Sequence, residues 1–143
     1  MDFITAKEKA IKYIGISKKT EYEVKNKLVR LGVSEDVIEE VTQYIKELGY
    51  IDDVAYSKAF IRTCEKEGKK SLYEIKLKLL QKGIKEYIID EELELLKDSD
   101  YEEKVINYLS KGKFLNKEEE LNKYLITKGF RGYNESEMYL WKY

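Results

Sequence analysis

The chain has 143 residues, with 27 Lys and Arg against 28 Asp and Glu and no His, for a formal net charge of −1. That balance excludes an overall field drawing it to nucleic acid, and the missing histidine removes the commonest general base and metal ligand. The single Cys64 excludes an internal disulfide and a thiolate zinc cluster.

A hydrophobic share of 43% supports a buried core, 38% charged residues support a wet surface, and the absence of Pro leaves long helices uninterrupted. No apolar run approaches transmembrane length, and Met1-Asp2-Phe3 lacks the basic and apolar regions of a secretory signal. Neither GxxxxGK[ST] nor GxGxxG occurs. These features predict a cytoplasmic protein that is not an enzyme and uses no cofactor, metal or small-molecule substrate.

Helical spacing predicts elements at 3–15, 20–31 and 35–48, then 53–67, 71–82 and 86–97, then 100–111, 117–128 and 134–143. Val37, Ile38, Val41, Tyr44, Ile45 and Leu48 show the three-and-four rhythm, and so do Val24, Leu28 and Leu31. Ile75, Leu79 and Leu80 continue it in the fifth element. Starts are marked by capping boxes at Thr20-x-x-Glu23 and Ser71-x-x-Glu74, with weaker versions at Asn116-x-x-Glu119 and Asn134-x-x-Glu137. Asp52-Asp53 and Ser99-Asp100 supply further caps. Gly15, Gly32, Gly49, Gly68, Gly83, Gly112 and Gly129 stand where helices end.

The same pattern occurs three times. Glu23-Val24, Lys27-Leu28-Val29 and Gly32-Val33 align without a gap on Glu74-Ile75, Lys78-Leu79-Leu80 and Gly83-Ile84. The third copy reads Glu120-Leu121, Tyr124-Leu125-Ile126 and Gly129-Phe130. A fixed period with one supersecondary unit per repeat marks a repeat array. The prediction is an all-α, elongated tandem array of three three-helix repeats, spanning 1–51, 52–99 and 100–143. Neighbouring repeats should share buried surface, with Tyr50-Ile51 and Leu95-Leu96 as candidates beside an ordinary place in each repeat's own core.

Leu48-Gly49-Tyr50-Ile51-Asp52-Asp53, followed by Tyr56, Ala59 and Phe60, resembles the boundary between the first two repeats of RecX proteins, bacterial regulators of the RecA recombinase. Gly68-Lys69-Lys70-Ser71, Ile75, Leu79 and Lys82-Gly83-Ile84 extend the resemblance. It covers nearly the whole chain. Three tandem three-helix repeats are the family's fold, so the resemblance and the periodicity agree. It implies a binding protein without a catalytic site that lies along the groove of the RecA filament on single-stranded DNA. There it restrains strand exchange, ATP hydrolysis and co-protease action. The first helix starts sooner than in many members, and the basic excess of some members is missing, so direct DNA contact is expected to be weak. A helical DNA-binding protein independent of RecA and a protein scaffold are the alternatives.

Candidate partner-binding residues are Arg62, Lys66, Lys69, Lys70 and Lys76, within a basic stretch that continues to Lys78, Lys82 and Lys85. Arg62 and Lys66 are four apart, hence on one helical face. Lys69 and Lys70 extend that face, and clustered cations suit phosphate or an acidic wall. Lys111 and Lys113 flank Gly112 much as Lys69-Lys70 follow Gly68, making a secondary candidate. The 13 tyrosines are read mostly as core. Tyr139, Trp141 and Tyr143 at the C-terminus are candidates either to cap the last bundle or to form an exposed contact patch. Cys64 reads as core, Asp52-Asp53 as cap and dipole partner, and Asp90, Glu91, Glu92 and Glu94 as a solvated stripe.

Overall fold

A computed structural model describes residues 1–133. They form eight helices: α1 (Phe3–Ile16), α2 (Glu21–Arg30), α3 (Glu35–Glu47), α4 (Asp53–Glu67), α5 (Leu72–Gln81), α6 (Glu86–Asp98), α7 (Tyr101–Lys111) and α8 (Glu118–Lys128). No strand occurs among the described residues. The expected ninth helix at 134–143, its Asn134 cap and the Tyr139, Trp141 and Tyr143 patch lie outside them.

Local chemistry explains the second helix of each repeat. Thr20 and Ser71 close complete capping boxes on α2 and α5, each contributing about 1 kcal/mol. At the other end, the Val33 amide bonds Leu28 O at 3.1 Å and the Gly32 amide bonds Val29 O at 2.9 Å. Ile84 and Gly83 repeat this on Leu79 and Leu80, and Phe130 and Gly129 on Leu125 and Ile126. These are Schellman closures, and they need a left-handed residue at the glycine. Gly32, Gly83 and Gly129 have φ of 81°, 79° and 80°. The apolar residue after each glycine is buried, which accounts for the repeated Gly-hydrophobic pair.

Several expected signals act otherwise. Gly15 lies inside α1, which stops at Ser17, and Gly112 has φ −115° and so is not a left-handed cap. Asn116 caps nothing. It takes the left-handed conformation itself (φ 59°), and α8 starts after Lys117 with no side-chain cap. At α7 the Ser99 hydroxyl accepts from the Tyr101 amide, while Asp100 makes no cap bond.

Two hydrophobic cores form. Ala6, Ala10, Val24, Leu28, Ile38, Val41, Ile45 and Ile51 close the first among α1–α3. The second runs without a break from Ile61 and Cys64 through Ile75, Leu79 and Ile89 to Val105, Leu125 and Phe130. Thus α4–α8 share one core and α1–α3 have their own. Ile51 belongs to the first repeat's core and Leu96 to the core that the second and third repeats share, whereas Tyr50 and Leu95 are exposed. The repeats therefore do not meet through Tyr50 and Leu95.

The tyrosine expectation holds for part of the set: Tyr13, Tyr56, Tyr124 and Tyr133 are half-buried against the two cores, whereas Tyr22, Tyr44, Tyr50, Tyr87 and Tyr108 are exposed. Among the described residues only Tyr101 is buried. Tyr44 and Leu48, read as core from their spacing, are exposed. Tyr44 instead meets the Phe3 ring edge-on at 5.6 Å, with the Lys7 ammonium 5.5 Å from its centre. A ring that covers its neighbours from outside keeps the spacing of a core residue while its hydroxyl stays in water.

Candidate functional site

The residues expected to form a central basic face lie on α4, which carries Arg62 and Lys66, and on the turn behind it, which carries Lys69 and Lys70. The Asp52 carboxylate caps α4 by accepting from the Ala55 amide at 3.0 Å. The opposite end closes at Gly68 in the left-handed region (φ 63°), which turns the chain so that Lys69 and Lys70 follow directly. The Tyr101 hydroxyl then donates to Lys70 O at 2.6 Å and pins this turn from α7. Burial pushes the Tyr101 phenol far above its ordinary value of 10.0, so it remains a donor.

Arg62, Lys66 and Lys69 are exposed and form no ion pair among the described residues. Lys70 is half-buried and reaches Glu67 at 3.9 Å, a surface pair that holds it weakly. Lys76 does not join this group. It bonds Asp90 at 2.8 Å and lies 3.9 Å from Glu86, so it serves the α5–α6 packing. Asp90, Glu91 and Glu94 are exposed as the acidic stripe requires, with Asp90 also pairing to Lys76, whereas Glu92, 3.9 Å from Lys58, has a side chain only 16% exposed. Lys82 is likewise engaged, with Glu23 at 3.2 Å. Lys111 and Lys113 are exposed, and Lys113 lies 5.5 Å from the Phe114 ring centre. Gly112 does not reproduce the Gly68 backbone, so the two turns differ.

The joints between repeats carry chemistry that sequence reasoning missed. At the first, Thr20 Oγ1 donates to Lys82 O at 2.6 Å, and Tyr22 lies against Gly83 so closely that a Cβ there would overlap its ring. Asp53 Oδ1 accepts from the Glu21 amide at 3.0 Å. At the second, Ser71 Oγ donates to Lys128 O at 2.5 Å. Tyr73 covers Gly129, where a Cβ would fall 2.6 Å from its Cδ2. Glu102 Oε2 accepts from the Leu72 amide at 2.9 Å. Both joints use a cap hydroxyl, the tyrosine two residues on, and a carboxylate from the next repeat. The legible signal was Thr-x-Tyr-Glu at 20–23 and Ser-x-Tyr-Glu at 71–74.

The two carboxylates differ in setting. Glu102 is buried and also accepts from the Arg131 backbone amide at 3.3 Å and Nε at 3.0 Å. Asp53 is half-buried, and burial pushes its carboxyl up despite the Glu21 amide. Burial also pushes Glu21 up, but Lys46 at 2.9 Å and Lys25 at 3.2 Å more than reverse this, leaving it below its ordinary value. An open groove of about 540 Å³ follows this joint, with Tyr22, Val54, Tyr87 and Lys85 along it. Among the described residues no three His, Cys, Asp or Glu side chains converge as metal ligands, and no helix is long and apolar enough to cross a membrane.

Residues 6–44 match the sequence pattern of the first three-helix domain of RecX, and residues 52–93 match that of the second. The chain belongs to the RecX family. It is 34% identical over 140 residues to the regulatory protein RecX of Clostridium tetani, covering 90% of this chain and 63% of that protein. It is 31% identical over 131 residues to that of Prosthecochloris aestuarii, covering 87% and 85%. Against that of Streptococcus agalactiae the identity is 36% over 124 residues, and the match spans 48% of the relative. The crystal structure of RecX from Lactobacillus salivarius superposes with a TM-score of 0.79 at 28% identity, covering 92% of this chain and 90% of that one. These similarities fit the helical repeat array and a regulatory protein.

Proposed function

We propose that this chain binds the RecA filament on single-stranded DNA and restrains its recombinase, ATPase and co-protease activities. The observation that carries this reading is the match of both RecX three-helix domains, which fall on α1–α3 and α4–α6. Two joints of the same construction hold successive repeats together, which suits a partner that itself repeats. Occupying the groove blocks a second DNA strand and co-protease clients sterically. Changing filament turnover requires tighter binding to one filament state than to another.

Arg62, Lys66, Lys69 and Lys70 are the proposed contacts, with Lys111 and Lys113 as a second set. Direct DNA contact is confined to phosphates reached by these cations, since the net charge is −1.

The test uses the cognate recombinase preformed on single-stranded DNA. The chain is expected to slow strand exchange at or below one molecule per recombinase subunit and to co-sediment with the filament. A folded chain that fails to bind the filament ends this reading.

A further inference from the structure

The joint that links the repeats has a third, unfilled copy. Lys82-Gly83 receives Thr20 and Tyr22, and Lys128-Gly129 receives Ser71 and Tyr73. The equivalent in the first repeat is Leu31-Gly32, closed by the same Schellman bonds and with Gly32 at φ 81°. Among the described residues no hydroxyl donates to Leu31 O, and a Cβ on Gly32 would meet nothing within 4 Å. Val29 is 61% exposed, whereas the same position in the filled copies, Leu80 and Ile126, is 37% and 39% exposed.

We propose that Leu31-Gly32 is a docking socket for the first turn of a partner protein's helix. The partner helix is capped by Ser or Thr and carries an aromatic residue at its second helical position. The two internal joints define this occupant, because both filled sockets receive that element. A second copy of the chain cannot supply it. Its Thr20 and Ser71 turns are already seated, and its third equivalent has Lys117 at the cap and Glu119 in place of the tyrosine. The cap hydroxyl would donate to Leu31 O, and the aromatic ring would lie on the bare Gly32 backbone. One contact changes. Phe3 stands at the helix start where Asp53 stands in the first joint, so the socket offers apolar surface in place of a carboxylate.

The probe is a helix-stapled peptide of residues 69–82, which contains Ser71 and Tyr73 and is titrated into the isotopically labelled full chain. Saturable amide shifts at Leu31, Gly32 and Val33 are expected. The chain variant Gly32→Asn and the peptide variant Tyr73→Ala should each weaken binding about tenfold or more. Asn tolerates the left-handed backbone, so Gly32→Asn blocks the ring's seat while the fold is retained. Three results overturn the proposal: no saturable shift at Gly32 with millimolar peptide, shifts centred on Gly83 or Gly129, or equal binding by the Gly32→Asn chain. The filament reading does not depend on this socket, so either can fail alone.

Discussion

The Thr20 hydroxyl donates to the carbonyl of Lys82 across 62 residues of sequence, at 2.6 Å. The same hydroxyl accepts from the Glu23 amide at 3.2 Å, so one side chain caps α2 and fastens the first repeat to the second. Ser71 does both for the next joint, accepting from Glu74 and donating to Lys128. An oxygen with one proton and two lone pairs can hold both bonds at once. Helix capping and repeat docking are thereby the same interaction, and the repeats can dock only where α2 and α5 are correctly started.

Gly83 and Gly32 separate the backbone requirement from the joint. Both have positive φ, but only Gly83 lies under a tyrosine. Gly32→Ala should cost about 1 kcal/mol through backbone strain. Gly83→Ala adds the overlap with Tyr22 and should cost about 2–4 kcal/mol. Urea denaturation measures both, and Tyr22→Ala in the same chain should relieve the excess at Gly83. Equal losses at the two glycines would show that Tyr22 does not seat there.

Glu102 is the carboxylate on which the second joint depends. It serves the Leu72 amide together with the Arg131 amide and guanidinium. Glu102→Ala leaves these donors without it and should destabilise by about 2–3 kcal/mol. Glu102→Gln keeps one acceptor oxygen and should cost less. Denaturation midpoints of the two variants compared with the wild type test this order.

Asp53 gives the first joint a pH dependence of opposite sign to an ordinary salt bridge. Burial raises its carboxyl above 3.8 in the folded chain. The folded state therefore holds the proton more tightly than the unfolded state. Stability contributed by this group is greatest at low pH and declines as pH rises from about 3.8 through the raised value. Glu21 acts the other way, its depressed value giving stability that is lost as pH falls. Asp53→Asn keeps an oxygen for the Glu21 amide but removes the titration. Its stability relative to the parent should improve as pH rises from about 3.8 through the raised value and then level off, measured by urea midpoints. A constant difference across that range would refute the assignment.

The basic face can be tested with charge reversals chosen from the structure. Arg62→Glu, Lys66→Glu and Lys69→Glu change side chains outside the ion pairs, while Lys76 is left alone because Asp90 holds it. Lys9, Lys12 and Lys18 are exposed and make a matched control; Lys7 is avoided because it sits over Tyr44. The central set should weaken filament binding about tenfold or more and flatten its salt dependence. Stability should stay within about 0.5 kcal/mol. Equal loss from the control set would reduce the effect to bulk charge.

Sequence alone determined the helices and their ends wherever the signal was local. Thr20, Ser71 and the Gly-hydrophobic pairs act on backbone groups within one turn, so spacing is enough to read them. It also pointed to Cys64 as buried, because it lies one helical turn after Phe60 on α4. It did not determine which lysines are free. Arg62 and Lys76 both read as members of one basic stretch, and only the approach of α6 to α5 ties Lys76 to Asp90. Nor did it place Tyr22 and Tyr73 on glycines 61 and 56 residues away. Aromatic spacing on a helix fixes the face a ring occupies, but not whether a core, a neighbouring repeat or water lies opposite. That is decided by the relative placement of whole repeats, which depends on contacts distant in sequence.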